Sequence, residues 1–206
     1  MQLSVYNIEG KDTGKKVTLS DDVFSIEPNE HTVYLDVKQY LANQRQGTHK
    51  TKERWEVNYS TRKMLKQKGT GGARHGSRKA NIYVGGARTF GPQPRDYSFS
   101  LNKKVKSLAR KSVFSSKVKE NLVKVVEDFT YEAPKTKQFV KFLDSFSLTN
   151  KKSILVLDGL NPNVVLSGRN IPNTKVVNTN SVNTYDLVNA EIVLLSVSAV
   201  AALNER

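Results

Sequence analysis

SILVLDGL, residues 153–160, places Ile154, Leu155, Val156 and Leu157 in one unbroken apolar run and stops it with Asp158-Gly159. A strand with one wetted face alternates apolar and polar residues, so an unbroken run reads as a strand covered on both faces. Asp-Gly supplies the turn that ends it. Working outward, LVKVVEDF (122–129), TKVVNT (174–179) and EIVLLS (191–196) read as further strands. Helical stretches fall between them. APKTKQFVKFLDSFSL (133–148) sets Phe139, Phe142, Leu143 and Phe146 at i, i+3, i+4, i+7, with Pro134 at its start. NPNVVLSGRNI, SVNTYDLVNA and VSAVAALNER read as shorter helices, and strand–helix alternation of this kind builds a mainly parallel sheet. NKKVKSLARKSVFSSKVKEN (102–121) puts Val105, Leu108, Ala109 and Val113 on one helical face, with a basic face opposite. The N-terminal 44 residues supply a strand with Leu3, Val5 and Ile8 alternating and a short strand at KKVTL. A helix follows from about Thr32 through Val33, Val37, Tyr40 and Leu41, with Gly47 as terminator. The expected class is α/β: a three-layer α/β/α domain, residues 1–44 and 102–206, on a mainly parallel sheet of about four strands.

Residues 45–101 break this pattern. They hold eight of the 12 glycines, two of the six prolines and no periodic apolar face. A structureless loop of this length is far outside the usual range for a compact domain, so it is either disordered or ordered by something else. Its charge indicates by what. Arg45 to Arg110 contains 17 Lys/Arg and three acids (Glu53, Glu56, Asp96), which accounts for the whole net charge of +14. No acid at all lies between Val57 and Arg95. Unrelieved like charge repels itself, so the block calls for a polyanion.

Several other chemistries fail on spacing. Gly71 to Gly76 has the glycine interval of a nucleotide-phosphate loop, but Ser77-Arg78 follows where Lys and a hydroxyl are required. Gly69 and Gly71 begin a dinucleotide fingerprint whose third glycine position is Arg74. With no cysteine and three scattered histidines (His31, His49, His75), neither a nucleophilic centre nor a metal site or other cofactor is expected. Asp158 reads as a turn residue in preference to a strand-end catalytic acid. The opening MQLSVYNIEG is a strand pattern, not a secretory leader, and IVLLSVSAVAAL is too short to span a bilayer, so a cytoplasmic protein without membrane contact is expected.

Folded RNA fits the block best. Lys and Arg neutralise phosphates, and glycine lets a backbone approach them closely. The aromatics Trp55, Tyr59, Tyr83, Phe90 and Tyr97 suit stacking on unpaired bases, with packing against the domain an equal reading for Tyr97. The candidate RNA contacts are Arg45, Lys50, Lys52, Arg54, Arg62, Lys63, Lys66, Lys68, Arg74, His75, Arg78, Lys79, Arg88 and Arg95, continued on the following helix by Lys103, Lys104, Lys106 and Arg110. Glycines 69, 71, 72, 76, 85, 86 and 91 are assigned to close approach.

QKGTGGARHGS, then GGARTFGPQPRDYSFSLNKKVKSLARKS, then EAPKTKQF together resemble the L-four family of large-subunit ribosomal proteins, in the same order along the whole chain. The resemblance implies a structural protein that binds large-subunit ribosomal RNA early in assembly, without enzymatic activity or cofactor. It implies a loop threaded through RNA to the wall of the peptide exit tunnel, beside the nascent peptide and a loop of the L-twenty-two family. The tip then falls on Gln67, Lys68, Gly69, Thr70, Gly71, Gly72, Ala73 and Arg74. This chain departs from the family pattern at Met64-Leu65, where an aromatic and Arg are usual, at Gly72 in place of Arg, and at Tyr83 in place of Trp. Two rival readings are an α/β enzyme with a mobile lid over Gly69–Gly76 and an RNA chaperone working off the ribosome.

Overall fold

The computed structural model describes residues 1–159 and 161–205. The chain divides into two compact units, one of Met1–Leu41 with Ser100–Arg206 and one of Ala42–Phe99.

The first unit is built on strands β1 (Gln2–Tyr6), β2 (Asp12–Thr18), β3 (Val123–Val126), β4 (Ser153–Leu157), β5 (Thr174–Asn178) and β6 (Ile192–Ser196). Its helices are α1 (Asp21–Phe24), α2 (Glu30–Asn43, whose last two residues belong to the second unit), α3 (Lys103–Lys119), α4 (Thr136–Ser145), α5 (Pro162–Arg169), α6 (Thr184–Asn189) and α7 (Val197–Asn204). The sheet order is β2-β1-β3-β6-β4-β5. Only the β1–β2 hairpin is antiparallel; β1 with β3, β3 with β6, β6 with β4 and β4 with β5 all run parallel. The unbroken apolar run Ile154–Leu157 forms β4, buried along its whole length between two parallel neighbours.

Successive strand residues point to opposite faces, and each face has its own core. Val5, Val125, Ile154, Val156, Val193 and Leu195 face Phe24 of α1, Phe114 of α3, Leu187 of α6 and Val200 of α7. Val126, Leu155, Leu157 and Leu194 face Phe139, Phe142 and Leu143 of α4, Phe146 at its C-cap and Val164 of α5. This is the three-layer arrangement.

Six strands replace the expected four. All six lie where strands were read, KKVTL falling on β2 and TKVVNT on β5; these two are the edges, only partly buried, and the total of about four was too low. Ile8 lies beyond β1 and is 41% exposed, so it extends no strand. Helix α2 begins two residues before Thr32, at the Asn29 side chain, whose Oδ1 accepts from the Thr32 amide at 3.1 Å. It ends at Asn43, four residues short of Gly47, which does not terminate it.

The buried face of α3 also differs from its apolar stripe. Leu108 is 36% exposed, whereas Ser112 and Ser115 are fully buried beside Ala109, Val113, Phe114 and Val118. The Ser115 hydroxyl accepts from the Ile26 amide at 3.1 Å and donates to the Val23 carbonyl at 3.3 Å. The Ser112 hydroxyl accepts from the Asn29 amide at 3.2 Å. These two serines bind the irregular segment between α1 and α2 to α3, a use invisible to hydrophobic periodicity.

Among the described residues no helix is long and apolar enough to cross a membrane, and no group of His, Asp or Glu is placed to hold a metal ion. Asp158 accepts from the Thr179 hydroxyl at 3.2 Å, a turn-stabilising contact.

Candidate nucleic-acid interface

The second unit has no helix or strand between Asn43 and Lys103; its order comes from a few bonds across two antiparallel arms. The amides of Thr51, Arg88 and Arg95 donate to the carbonyls of Pro92, Lys52 and Gly47 at 3.0, 3.1 and 3.2 Å. Farther out, the Ala87 amide reaches Lys79 at 3.1 Å and the Met64 amide reaches Gly76 at 3.2 Å. Val57 and Ala87 are buried here, a small apolar contribution that the sequence pattern did not indicate.

At the base of the arms Gly47 sits at φ +65°, where an added Cβ would stand 1.9 Å from the Arg95 carbonyl oxygen. Glycine is required twice over, by backbone angle and by contact. Gly47→Ala is therefore expected to open the base at a cost of about 1–3 kcal/mol. Hydrogen exchange should register this as weaker protection of the Arg95 amide while that of Val125, inside the sheet, is retained. Gly85, Gly86 and Gly91 are similarly explained within the chain: a Cβ on them would meet the Tyr59 hydroxyl at 2.8 Å, the Ala80 carbonyl at 2.0 Å and the Thr51 hydroxyl at 1.8 Å. The close-approach role expected for these three is thus taken by the protein's own packing. Gly69, Gly71, Gly72 and Gly76 meet nothing within 4 Å. Gly69 and Gly71 have positive φ, at +85° and +67°, and turn the tip Gln67–Arg74.

The unit's three acids are all engaged locally. Glu53 accepts from the Trp55 indole N–H at 2.9 Å and from the Gln93 amide at 2.6 Å. Glu56 is ion-paired with Lys50 and accepts from the Glu53 backbone, which together hold its carboxyl below the ordinary range. Asp96 accepts from the Ser98 amide and hydroxyl, both at 2.8 Å, and is likewise lowered. The acids shape the unit, and most of the surrounding bases keep their charge uncompensated.

Several aromatic side chains prove to be platforms for cations. The guanidinium carbons of Arg45 and Arg95 lie 3.8 and 4.4 Å from the Tyr97 ring centroid, and Arg78 lies 5.3 Å from that of Tyr59. The Tyr97 hydroxyl meets His49 Nε2 at 3.1 Å. His75 packs on Tyr83, with ring centroids 5.5 Å apart. Trp55 and Phe90 remain open, 74% and 101% exposed. Arg54, Lys63, Arg74, His75 and Lys79, all expected contacts, line one open cleft of about 970 Å³, along with Trp55 and Gln67. Lys52, Arg62, Lys66, Lys68 and Arg88 are set elsewhere on the unit's surface. Lys103, Lys104, Lys106 and Arg110 belong to the first unit, on α3. Its first turn carries Lys103 and Lys104 with no acid, opposing the helix dipole by a few tenths of a kcal/mol, a disadvantage that an anionic partner removes.

Residues 17–206 match the family described as Ribosomal protein L4/L1 family. The chain belongs to this family. Among its relatives, the large ribosomal subunit protein uL4 of Cytophaga hutchinsonii is 59% identical over 203 residues, covering 98% of each chain. That of Parabacteroides distasonis is 57% identical over 205 residues, covering all of this chain and 98% of the relative. That of Flavobacterium psychrophilum is 56% identical over the same span. The family match thus includes the irregular unit as well as the α/β unit, so the basic excursion is as much a part of the family's chain as the sheet.

Proposed function

We propose that this chain is a structural constituent of the large ribosomal subunit that binds large-subunit ribosomal RNA early in assembly. Residues 45–101 thread through the RNA, and Gln67–Arg74 reach the exit-tunnel wall, beside the nascent peptide and a loop of the L-twenty-two family. The α/β unit anchors the protein and contributes Lys103, Lys104, Lys106 and Arg110 as phosphate contacts. The protein works ribosome-bound in the cytoplasm, without a catalytic role.

The observation that carries this reading is identity of 52–59% with relatives named as large ribosomal subunit proteins, over nearly the full length. The charge supports it. The bases of the second unit neutralise phosphates and release counterions, while its acids are occupied in turns and ion pairs. An enzyme with a lid over Gly69–Gly76 would need a converging catalytic set there. The cleft is lined mainly by cations with an indole and an amide, and its imidazole and hydroxyls, His75, Thr61 and Ser77, have no acid among the lining residues.

The direct test is sedimentation through a sucrose gradient, followed by crosslinking. The protein is expected in the large-subunit fractions, with ribosomal RNA crosslinked through Lys66–Lys79. Protein found mainly at the top of the gradient would favour the off-ribosome chaperone and overturn this reading. A finer prediction concerns Gly72, which has an ordinary φ and open surroundings. Gly72→Arg, restoring the residue usual in the resembled family, should leave folding stability within about 0.5 kcal/mol. The slope of log affinity against log salt for a ribosomal RNA fragment should steepen by about 0.7–0.9.

A further inference from the structure

We propose that the cleft beside Trp55 is a preformed site for one unpaired nucleotide, its base stacked on the indole and its phosphates held by the surrounding cations. This rests on the RNA-binding function proposed for the chain and narrows it to a place and a ligand class. Four observations converge.

Trp55 is 74% exposed, yet its orientation is fixed. The indole N–H donates to Glu53 at 2.9 Å, and Glu53 is itself held by Gln93 at 2.6 Å. An exposed aromatic pinned by its edge offers a flat face at little further cost in side-chain freedom. The cleft it borders measures about 970 Å³ and is lined by Arg54, Lys63, Arg74 and Lys79 with no acid. Among the described residues the Arg54, Arg74 and Lys79 side chains make no hydrogen bond or ion pair, so their charge is available to phosphate oxygens. Gln67, Thr61 and His75 line the same wall and supply donors and acceptors of the kind that read a base edge. Tyr59 and Tyr97 differ from Trp55: cations already lie against their rings at 5.3, 3.8 and 4.4 Å. Trp55 also has a cation near it, but Lys50 Nζ is 5.7 Å from the ring and ion-paired with Glu56.

A base inserted here gains stacking on the indole, and a duplex, whose bases are already stacked, does not. The site therefore prefers single-stranded, looped or bulged RNA to a regular helix.

Trp55 is the chain's only tryptophan, so its emission reports on this site alone. The test uses the full chain, titrated with a short oligoadenylate and with an abasic oligomer of the same length and charge. Oligoadenylate is expected to quench Trp55 and to bind Trp55→Ala about tenfold more weakly than the unaltered protein, with Trp55→Phe recovering most of the affinity. The abasic oligomer should bind the unaltered protein and Trp55→Ala alike and leave emission unchanged. Equal oligoadenylate affinity for the unaltered protein and Trp55→Ala, or equal quenching by the abasic oligomer, overturns the nucleotide site. If that happens while large-subunit ribosomal RNA is still retained on a filter, the general function stands. Failure to retain that RNA as well overturns both.

Discussion

Excising residues 48–98 and closing the gap with a short glycine bridge is expected to abolish ribosomal RNA binding while the α/β unit stays folded. The bridge is feasible because the arms lie together at their base, where the Arg95 amide donates to the Gly47 carbonyl at 3.2 Å. The deletion removes twelve Lys/Arg and three acids. Every phosphate that a cation neutralises adds about 0.7–0.9 to the salt slope, so removing even half of these cations costs several decades of affinity at moderate salt. The α/β unit keeps both of its cores, since every residue of the two clusters lies outside 48–98. Circular dichroism should show the helix and strand content of the remaining domain, and filter binding should show the drop in affinity. Ribosomal RNA affinity that survived with an unchanged salt slope would place the interface on the α/β unit instead.

Phe142→Ala is expected to act in the opposite way, destabilising the α/β unit while leaving the cations proposed to contact RNA in place. Phe142 is 1% exposed and lies 5.2 Å from Phe129, 5.7 Å from Phe139 and 5.2 Å from Phe146, measured between ring centroids. Removing the ring forfeits its burial and leaves a cavity that three other rings cannot readily fill, at a cost of about 3–5 kcal/mol. For a domain of this size the midpoint of thermal unfolding should fall by roughly 10 °C. Calorimetry of the full chain measures this. A change below about 1 kcal/mol would mean that α4 is not a stabilising layer of the sheet.

What the sequence disclosed follows the physical nature of each signal. Solid apolar runs such as Ile154–Leu157 and the Phe139–Phe146 spacing identify buried strands and helix faces directly, because burial on both faces or along one stripe dictates composition. The edge strands β2 and β5 give a weaker signal in the same code because neither holds a fully buried residue, though KKVTL and TKVVNT still marked them. Ser112 and Ser115 were illegible for a different reason. Their burial depends on partners near Ile26 and Asn29, more than eighty residues away. At the candidate interface the cations were plain from charge alone. What charge could not show was which of them are already partnered, as Lys50 is by Glu56 and Arg45 and Arg95 are by Tyr97. Glu53 and Glu56 did offer a clue. Two acids in so basic a stretch are placed to organise their neighbours, and they do.

The pairing of β1 with β3 sets Val5 opposite Val125, on either side of the entire basic excursion. During synthesis at about 5–20 residues per second, the first strand waits some 6 to 24 seconds for its parallel neighbour. Before it ends the polycationic arms have been made, while the sheet that would anchor them still lacks its centre. The chain thus presents its affinity for polyanions before its stability, and its earliest hazard is capture by whatever nucleic acid is nearest. Speed of capping by the right RNA, or shielding until β3 and β6 arrive, then decides the yield of correctly assembled protein as much as the final energy of the fold.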